Sequence, residues 1–494
     1  MPSRTAVLLA AATAVSVLAG CASSLSREEI VRQASGPAPQ AAVGQAPAVD
    51  IDSPAAMDPL VPAGAGTPAA GVPGAATAAP GAQLIAGSAP AGGRGKSNAK
   101  DPSTVAPAPA GGQGKSNAKA PSTGTPAVCA QAKAPIVLGA VGQMSGVVGA
   151  AFVKGTRAAQ AWVAQVNASG GLGCHPIKYV TADDGGDPSR HLSLVRKVVE
   201  QDKAVAMLYQ TALLTGQASR AYLLSKKIPV IGTEGGEMFS YDSPLFFNHA
   251  SSAEALVDLT MATAGRVAKA AGKVKLGTLT CQEVSFCNIS DGRWAQSAAK
   301  YGLEPVYKGK ASLLNVDFTS QCLAAKNAGV EVLMIGFDPT GIHRLGQSCR
   351  NVGFTPLVIC TSVQSNVDFS DDPALEGIVI AQPTRPWFLT SSPAIQAFQA
   401  AVQRFAPDLV VDSNSISGWT AAQLLAKATA AFAADAVTSD GIVKALSTVK
   451  NDDLGGLTYP LSFSPGKPQD KTACGWVVQV KGGKFVSDGQ RFCG

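Results

Sequence analysis

From Pro135 onward, short β-branched runs alternate with amphipathic stretches, and this predicts an α/β fold. Ile136–Val141 reads as a buried strand, and Phe152–Asn167 follows with Val153, Ala158, Ala161, Trp162 and Val166 spaced along one helical face. Ile177–Thr181, Ala204–Tyr209, Ile228–Gly232, Lys275–Leu279 and Val332–Gly336 continue as strands. Between them Ser189–Gln201 and Leu214–Ser225 read as helices. Repeated β-α units give parallel sheets covered by helices on both faces. The patterned region runs to about 360 residues, more than one core holds, so two lobes are expected. In such sheets ligands lie at the carboxyl ends of the strands, which here means Gly142–Gly149, Tyr209–Thr215, Thr233–Glu237, Cys281–Cys287 and Phe337–Thr340.

The region before this body is different in kind. Residues 21–133 are rich in Ala, Gly and Pro, almost without aromatics, and without a sustained period of 3.6 or 2. Such a stretch has too little apolar surface to offset the entropy of ordering, and is expected to be a disordered, flexible stalk. It carries a tandem repeat, in which Gly95-Lys96-Ser97-Asn98-Ala99-Lys100 recurs as Gly114-Lys115-Ser116-Asn117-Ala118-Lys119. Gly-Lys-Ser suggests a phosphate loop, but Pro90 and Pro109 stand where its first glycine belongs and no strand precedes either copy. Ser97-x-x-Lys100 and Ser116-x-x-Lys119 lack the packed helix and Lys-Thr-Gly partner that a serine nucleophile of that spacing needs. Both copies are spacer.

The N-terminus reads as a secretory signal: Arg4, a short apolar run from Ala6 to Leu18, then Ala19-Gly20-Cys21. That ending resembles the bacterial lipobox, which implies that residues 1–20 are removed and Cys21 is lipidated. The expected location is the extracytoplasmic face of the bacterial cell membrane, with the lipid as the only membrane attachment. Elsewhere no run of about twenty apolar residues occurs.

Composition narrows the function. The 494 residues carry a net charge of +6 and only 15% charged side chains, with no basic run interleaved with aromatics, so no nucleic-acid partner is expected. The four histidines, His175, His191, His249 and His343, form no His-Glu-x-x-His site, and no Gly-x-Ser-x-Gly elbow occurs. Asp183-Asp184 and Asp371-Asp372 are adjacent acids, which point apart on a strand rather than converge. Neither an enzyme nor a cofactor or metal site is expected.

Several stretches together resemble one family. They are Ile136–Gly139 leading to Met144-Ser145-Gly146, Asn167–Gly173, Ala182–Pro188, Lys227–Gly232, Asp317-Phe318-Thr319 and Ala328–Glu331. This set resembles the type I periplasmic-binding-protein fold, in particular the branched-chain-amino-acid-type substrate-binding lipoproteins of ABC transporters. The resemblance implies two lobes joined by crossing hinge strands, placed at 134–252 with 382–455 and at 253–381 with 456–494. It further implies capture of a small polar solute, an amino acid or related compound, and delivery to an ABC permease and ATPase complex. An alternative is a sensor subunit that signals to a separate membrane partner. In this family hydroxyls and helix-start amides hold a ligand carboxylate, for which Ser145, Thr211, Thr215 and Thr233 are candidates. Glu234, Glu283 and Asp338 are candidates for an ammonium, and Tyr209 and Phe286 for stacking on or covering a side chain. Residues 141–145, 209–212 and 281–287 depart from the usual family pattern, so leucine, isoleucine and valine are not the obvious ligands.

Nine cysteines remain after Cys21, and outside the cytoplasm they read as disulfides. Cys129 and Cys174 precede neighbouring strands, Cys281 and Cys287 close a small loop, and Cys322 and Cys349 lie on successive helices. Cys474 and Cys493 bracket a hairpin turning at Gly482-Gly483. These four pairings leave Cys360 free and buried in a strand.

Overall fold

A computed structural model describes residues 129, 131–233 and 238–494. Cys21, the stalk with its repeats, and Glu234 lie outside the described residues. Two sheets organise the chain. The first contains β1 (Ile136–Gly142), β2 (Ile177–Asp183), β3 (Ala206–Gln210), β4 (Val230–Thr233) and β5 (Phe246–Phe247) in the order β2-β1-β3-β4-β5. All its pairings are parallel, with β1 and β2 in register from Ile136 opposite Ile177 to Gly142 opposite Asp183. The crossovers are α1 (Gly146–Ala168), α2 (Pro188–Glu200) and α3 (Gln217–Ser225).

β1 and β3 are buried almost throughout, so residues of both parities face apolar cover. Leu138 and Leu208 join the core beneath α1, while Val141 and Met207 pack with Val195 and Val198 of α2 and Leu223 of α3. Sheets covered on both sides need continuous apolar strands rather than alternating ones. α1 starts at Gly146, six residues before the expected Phe152. Its first turn is rich in glycine and reads as loop, yet Gly149 is required there: a Cβ would lie 2.7 Å from the Met144 carbonyl carbon. α3 starts three residues after the expected Leu214, because Thr215 is drawn inward to Asp184, its hydroxyl donating at 2.7 Å.

The second sheet contains β6 (Lys275–Cys281), β7 (Glu304–Ala311), β8 (Val332–Gly336), β9 (Leu357–Thr361), β10 (Val379–Gln382), β11 (Cys474–Lys481), β12 (Lys484–Val486) and β13 (Phe492–Cys493). Its order is β12-β11-β10-β9-β8-β6-β7, with β13 paired to β11. β6 to β10 are parallel, and the late strands β11 to β13 are antiparallel. The β11–β12 turn is Gly482-Gly483, with φ of 57° and 68°, the backbone that a two-residue hairpin needs. α4 (Ala253–Ala270) crosses one face and buries Leu256, Val257, Leu259 and Met261, each worth about 1.5–3 kcal/mol of transfer free energy. α5 (Ser285–Ser297), α6 (Thr319–Asn327) and α7 (Pro339–Asn351) are the other crossover helices of this sheet.

After β10 the chain returns to the first sheet. α8 (Pro393–Phe405) and α9 (Ser413–Ala426) pack on α1, followed by α10 (Thr429–Ala433) and α11 (Ser439–Leu446). α9 approaches α1 closely at Gly418, where a Cβ would lie 2.0 Å from the Gly155 carbonyl oxygen. Disulfides join Cys129 to Cys174, Cys281 to Cys287, Cys322 to Cys349 and Cys474 to Cys493. Cys360 is a free thiol buried in β9.

Candidate ligand site between the sheets

Strand ends of both sheets converge on one apolar chamber of about 80 Å³. β3 of the first sheet leads to Leu213, and the early part of α1 supplies Ala151 and Phe152. From the second sheet come Val284 and Phe286 after β6, Leu313 after β7 and Phe337 after β8. The Cys281–Cys287 disulfide is part of the wall, and Val363 and Gln364 close the chamber after β9. Side chains from five strand ends thus form one lining, as expected for parallel sheets.

A second, polar chamber of about 120 Å³ shares Ala151, Asp338 and Pro339 with the first. Lys154 is its cation. The ammonium donates at 2.7 Å to Asn366 Oδ1 and at 2.7 Å to Asp412 Oδ2. Asp412 is buried, which pushes its carboxyl up from the usual range, while Lys154 and the amides of Ser415 and Asn414 pull it back.

The residues expected to touch ligand fall into three groups. Phe286 and Asp338 line the apolar chamber. Asp338 also caps α7, accepting from the amides of Thr340 and Gly341 at 3.1 and 3.4 Å. Ser145 and Glu283 are exposed. Ser145 is at the start of α1 and hydrogen-bonds Asp183. Glu283 accepts from the Ser312 hydroxyl and from the Leu313 amide. Burial raises its carboxyl, and these donors with the Gln282 amide together more than reverse that, holding it below the usual range.

Tyr209, Thr211, Thr215 and Thr233 are buried beneath the loops. Thr233 donates to Asn248 Oδ1 at 2.8 Å, and Thr215 donates to Asp184. Thr211 lies against β1, its carbonyl accepting from the Gln143 amide at 2.8 Å. Tyr209 has φ of 50° and packs so tightly on α1 that a Cβ at Gly155 would lie 2.2 Å from its ring. It borders a separate 10 Å³ cavity with Asn414 and Thr384, large enough for about one water.

Phe152, Lys154, Leu213, Leu313, Phe337 and Val363 were not anticipated. A search for hydroxyls and acids passes over them, although Leu213 and Phe337 stand in loops that the carboxyl ends of the strands already mark. The available signal was apolar residues placed in loops, where solvent would ordinarily disfavour them.

A family model described as periplasmic binding protein matches residues 135–485. The chain belongs to that family. Among solved structures, it is similar to a fatty acid ABC transporter substrate-binding protein from Thermomonospora curvata. The TM-score is 0.61 at 20% identity, covering 74% of this chain and 95% of that one. A solute-binding protein of an ABC transporter from R. palustris, in complex with benzoate, gives a TM-score of 0.59 at 18% identity, covering 72% and 96%. A possible leucine/isoleucine/valine-binding protein from Rhodopirellula baltica gives 0.61 at 17% identity, covering 73% and 98%. No curated protein matches. Among the described residues of this periplasmic binding protein, no helix is long and apolar enough to cross a membrane, and no cluster of His, Cys, Asp or Glu fits a metal ion.

Proposed function

We propose that this protein is the lipid-anchored solute receptor of an ABC importer and closes two lobes around a small solute with an apolar body. The lobes are taken as 134–252 with 382–455 and 253–381 with 456–494, and Cys21 as the anchored residue. The observation that carries the reading is the chamber lined by Phe152 and Leu213 on one side and Val284, Phe286, Leu313 and Phe337 on the other. Only a closed arrangement brings these side chains together, so an apolar ligand that bridges them favours closure through its differential affinity for that state.

The lining favours an apolar body over a wholly polar solute. Taking charge out of water costs several kcal/mol per ion unless it is paired. Of the acids suited to an ammonium, Glu283 is exposed and engaged with Ser312, which leaves Asp338 as the one described candidate at the chamber. The similar proteins titled for fatty acid, benzoate and possible leucine/isoleucine/valine binding are all named for ligands with an apolar part.

Native mass spectrometry of the mature chain, before and after mild unfolding and dialysis, tests this. Release of a small solute with an aliphatic or aromatic body is the expected result. A wholly polar solute would overturn the ligand class. A protein that stays empty against amino acids, aliphatic acids and aromatic acids would replace the importer reading with the sensor one.

A further inference from the structure

The crossover from β9 to β10 contains no α-helix. Parallel strands are ordinarily joined through an α-helix that covers the sheet. Here residues 362–378 contain only 3-10 turns, Ser362–Gln364, Val367–Asp371 and Pro373–Leu375. Beside α7 this cover is thin, and a cavity of about 210 Å³ remains on the second sheet, apart from the cleft. Its walls are Leu333 and Ile335 of β8, Ile342 and Leu345 of α7, and Leu375 and Ile378 of the crossover. All six side chains are buried.

Size and chemistry both point to a ligand. An apolar cavity of about 150 Å³ is enough to take up benzene, and this one is larger. Arg350, in the last turn of α7, lines it, is exposed, and makes no ion pair among the described residues. Glu376, also at the cavity, is already engaged by the Gly482 amide at 2.8 Å. The rim therefore offers one uncommitted guanidinium, a group suited to bidentate carboxylate recognition. The crossover is tethered to α7 away from the rim: His343 Nδ1 lies 2.7 Å from Asp372 Oδ2, and its Nε2 lies 3.0 Å from Asp368 Oδ1.

We propose that this cavity is a second small-molecule site, separate from the cleft, for a compact apolar body bearing one carboxylate that pairs with Arg350. The site does not depend on what the cleft binds.

Phenylacetate and its neutral amide are the probes, titrated into the mature chain, with a soaked crystal to locate the bound molecule. The expected result is density between α7 and the 362–378 crossover, with the acid bound about tenfold more tightly than the amide, as one charge-assisted pair would give. Arg350→Met should erase that ratio while leaving the amide's affinity unchanged. Ala374→Leu, or Thr355→Leu if the first fails to fold, should fill the cavity and abolish binding there. Density confined to the cleft, an acid-to-amide ratio indifferent to Arg350→Met, or binding indifferent to the filling variant would each overturn the proposal.

Discussion

His191 Nδ1 lies 2.8 Å from Asp184 Oδ2, and neither side chain has any exposed surface. The carboxylate also accepts from the Thr215 hydroxyl and, through Oδ1, from the Gly186 amide at 2.8 Å. The other ring nitrogen of His191 lies 2.9 Å from Ser219 Oγ. Asp, His and Ser in sequence invite comparison with a hydrolase triad, but a nucleophile sealed from solvent has no access to substrate. The network instead fixes Thr215, at the end of the loop that carries Leu213.

Removing one partner of a buried pair leaves a charge or polar group without compensation, which typically costs 3–5 kcal/mol. His191→Leu should therefore destabilise the protein by about 3 kcal/mol in urea unfolding, some of the carboxylate's donors being retained. Burial raises the Asp184 carboxyl, and the bonds from His191, Thr215 and Gly186 more than reverse this, so its folded pKa is lowered. Its contribution is thus present above the unfolded carboxylate range and is lost as pH falls through the folded value. Asp184→Asn should flatten that acid limb. An unchanged acid midpoint in the variant would contradict the assignment.

His343 has the opposite sign. Partial burial disfavours its charged form, but Asp372 and Asp368 outweigh this and raise its pKa. Its stabilising contribution is complete below the ordinary histidine value and disappears as pH rises through the folded one. Hydrogen exchange across 366–375 should therefore quicken between about pH 6 and pH 8, relative to the intrinsic rate. His343→Gln should remove the pH dependence. Equal protection at both pH values in the wild-type protein would refute it.

The positions of several strands and of the cysteines were legible in the sequence because each rests on local pattern. The β-branched runs fix β1, β2, β3, β6 and β8, and strand neighbours bring Cys129 beside Cys174. The site was less legible, for a physical reason. Thr215, in the loop after β3, and Thr233, at the end of β4, stand near the strand ends, but their bonds turn inward to Asp184 and Asn248. Periodicity gives the face a residue occupies, and cannot show which partner satisfies a hydroxyl. Asp183 and Asp184 show the same limit: Asp183 turns to the Met144 amide at 2.9 Å, while Asp184 turns to His191.

The cleft lining gives a direct test. Leu213→Glu and Phe337→Glu each place a carboxylate in the apolar chamber, where desolvation disfavours it. Solute affinity should fall at least about tenfold in each, a 1.4 kcal/mol effect. Ser145→Ala, at an exposed position, should change it less than about twofold, within the range of surface substitutions. Isothermal titration with the co-purified solute would measure both. Retained affinity in the glutamate variants would place the ligand elsewhere.

Cys360 is completely buried, and that burial pushes its thiol well above the ordinary range, so the thiolate that reacts with disulfide reagents is scarce. If Cys21 carries the proposed lipid, the folded mature chain should show no rapidly reacting thiol, and one after unfolding without reductant. Peptide mapping without reduction should recover the four bridges with Cys360 in none of them. Any bridge to Cys360 would disprove the pairing.

Lys154 ties segments that strand order leaves separate. Asp412 precedes α9, which packs on α1 beside the first sheet, whereas Asn366 is on the crossover of the second sheet. The Asp412 side chain is 1% exposed and that of Lys154 22% exposed, so solvent screens this pair only in part. Lys154→Met should cost about 2 kcal/mol, below the range for a fully buried pair. It should also weaken solute binding, because Asn366 loses its tie across the cleft. The double variant Lys154→Met/Asp412→Asn should recover part of the stability, since no buried charge then lacks a partner, but none of the affinity. Recovery of both together would show that Lys154 only neutralises Asp412 and does not hold the lobes closed.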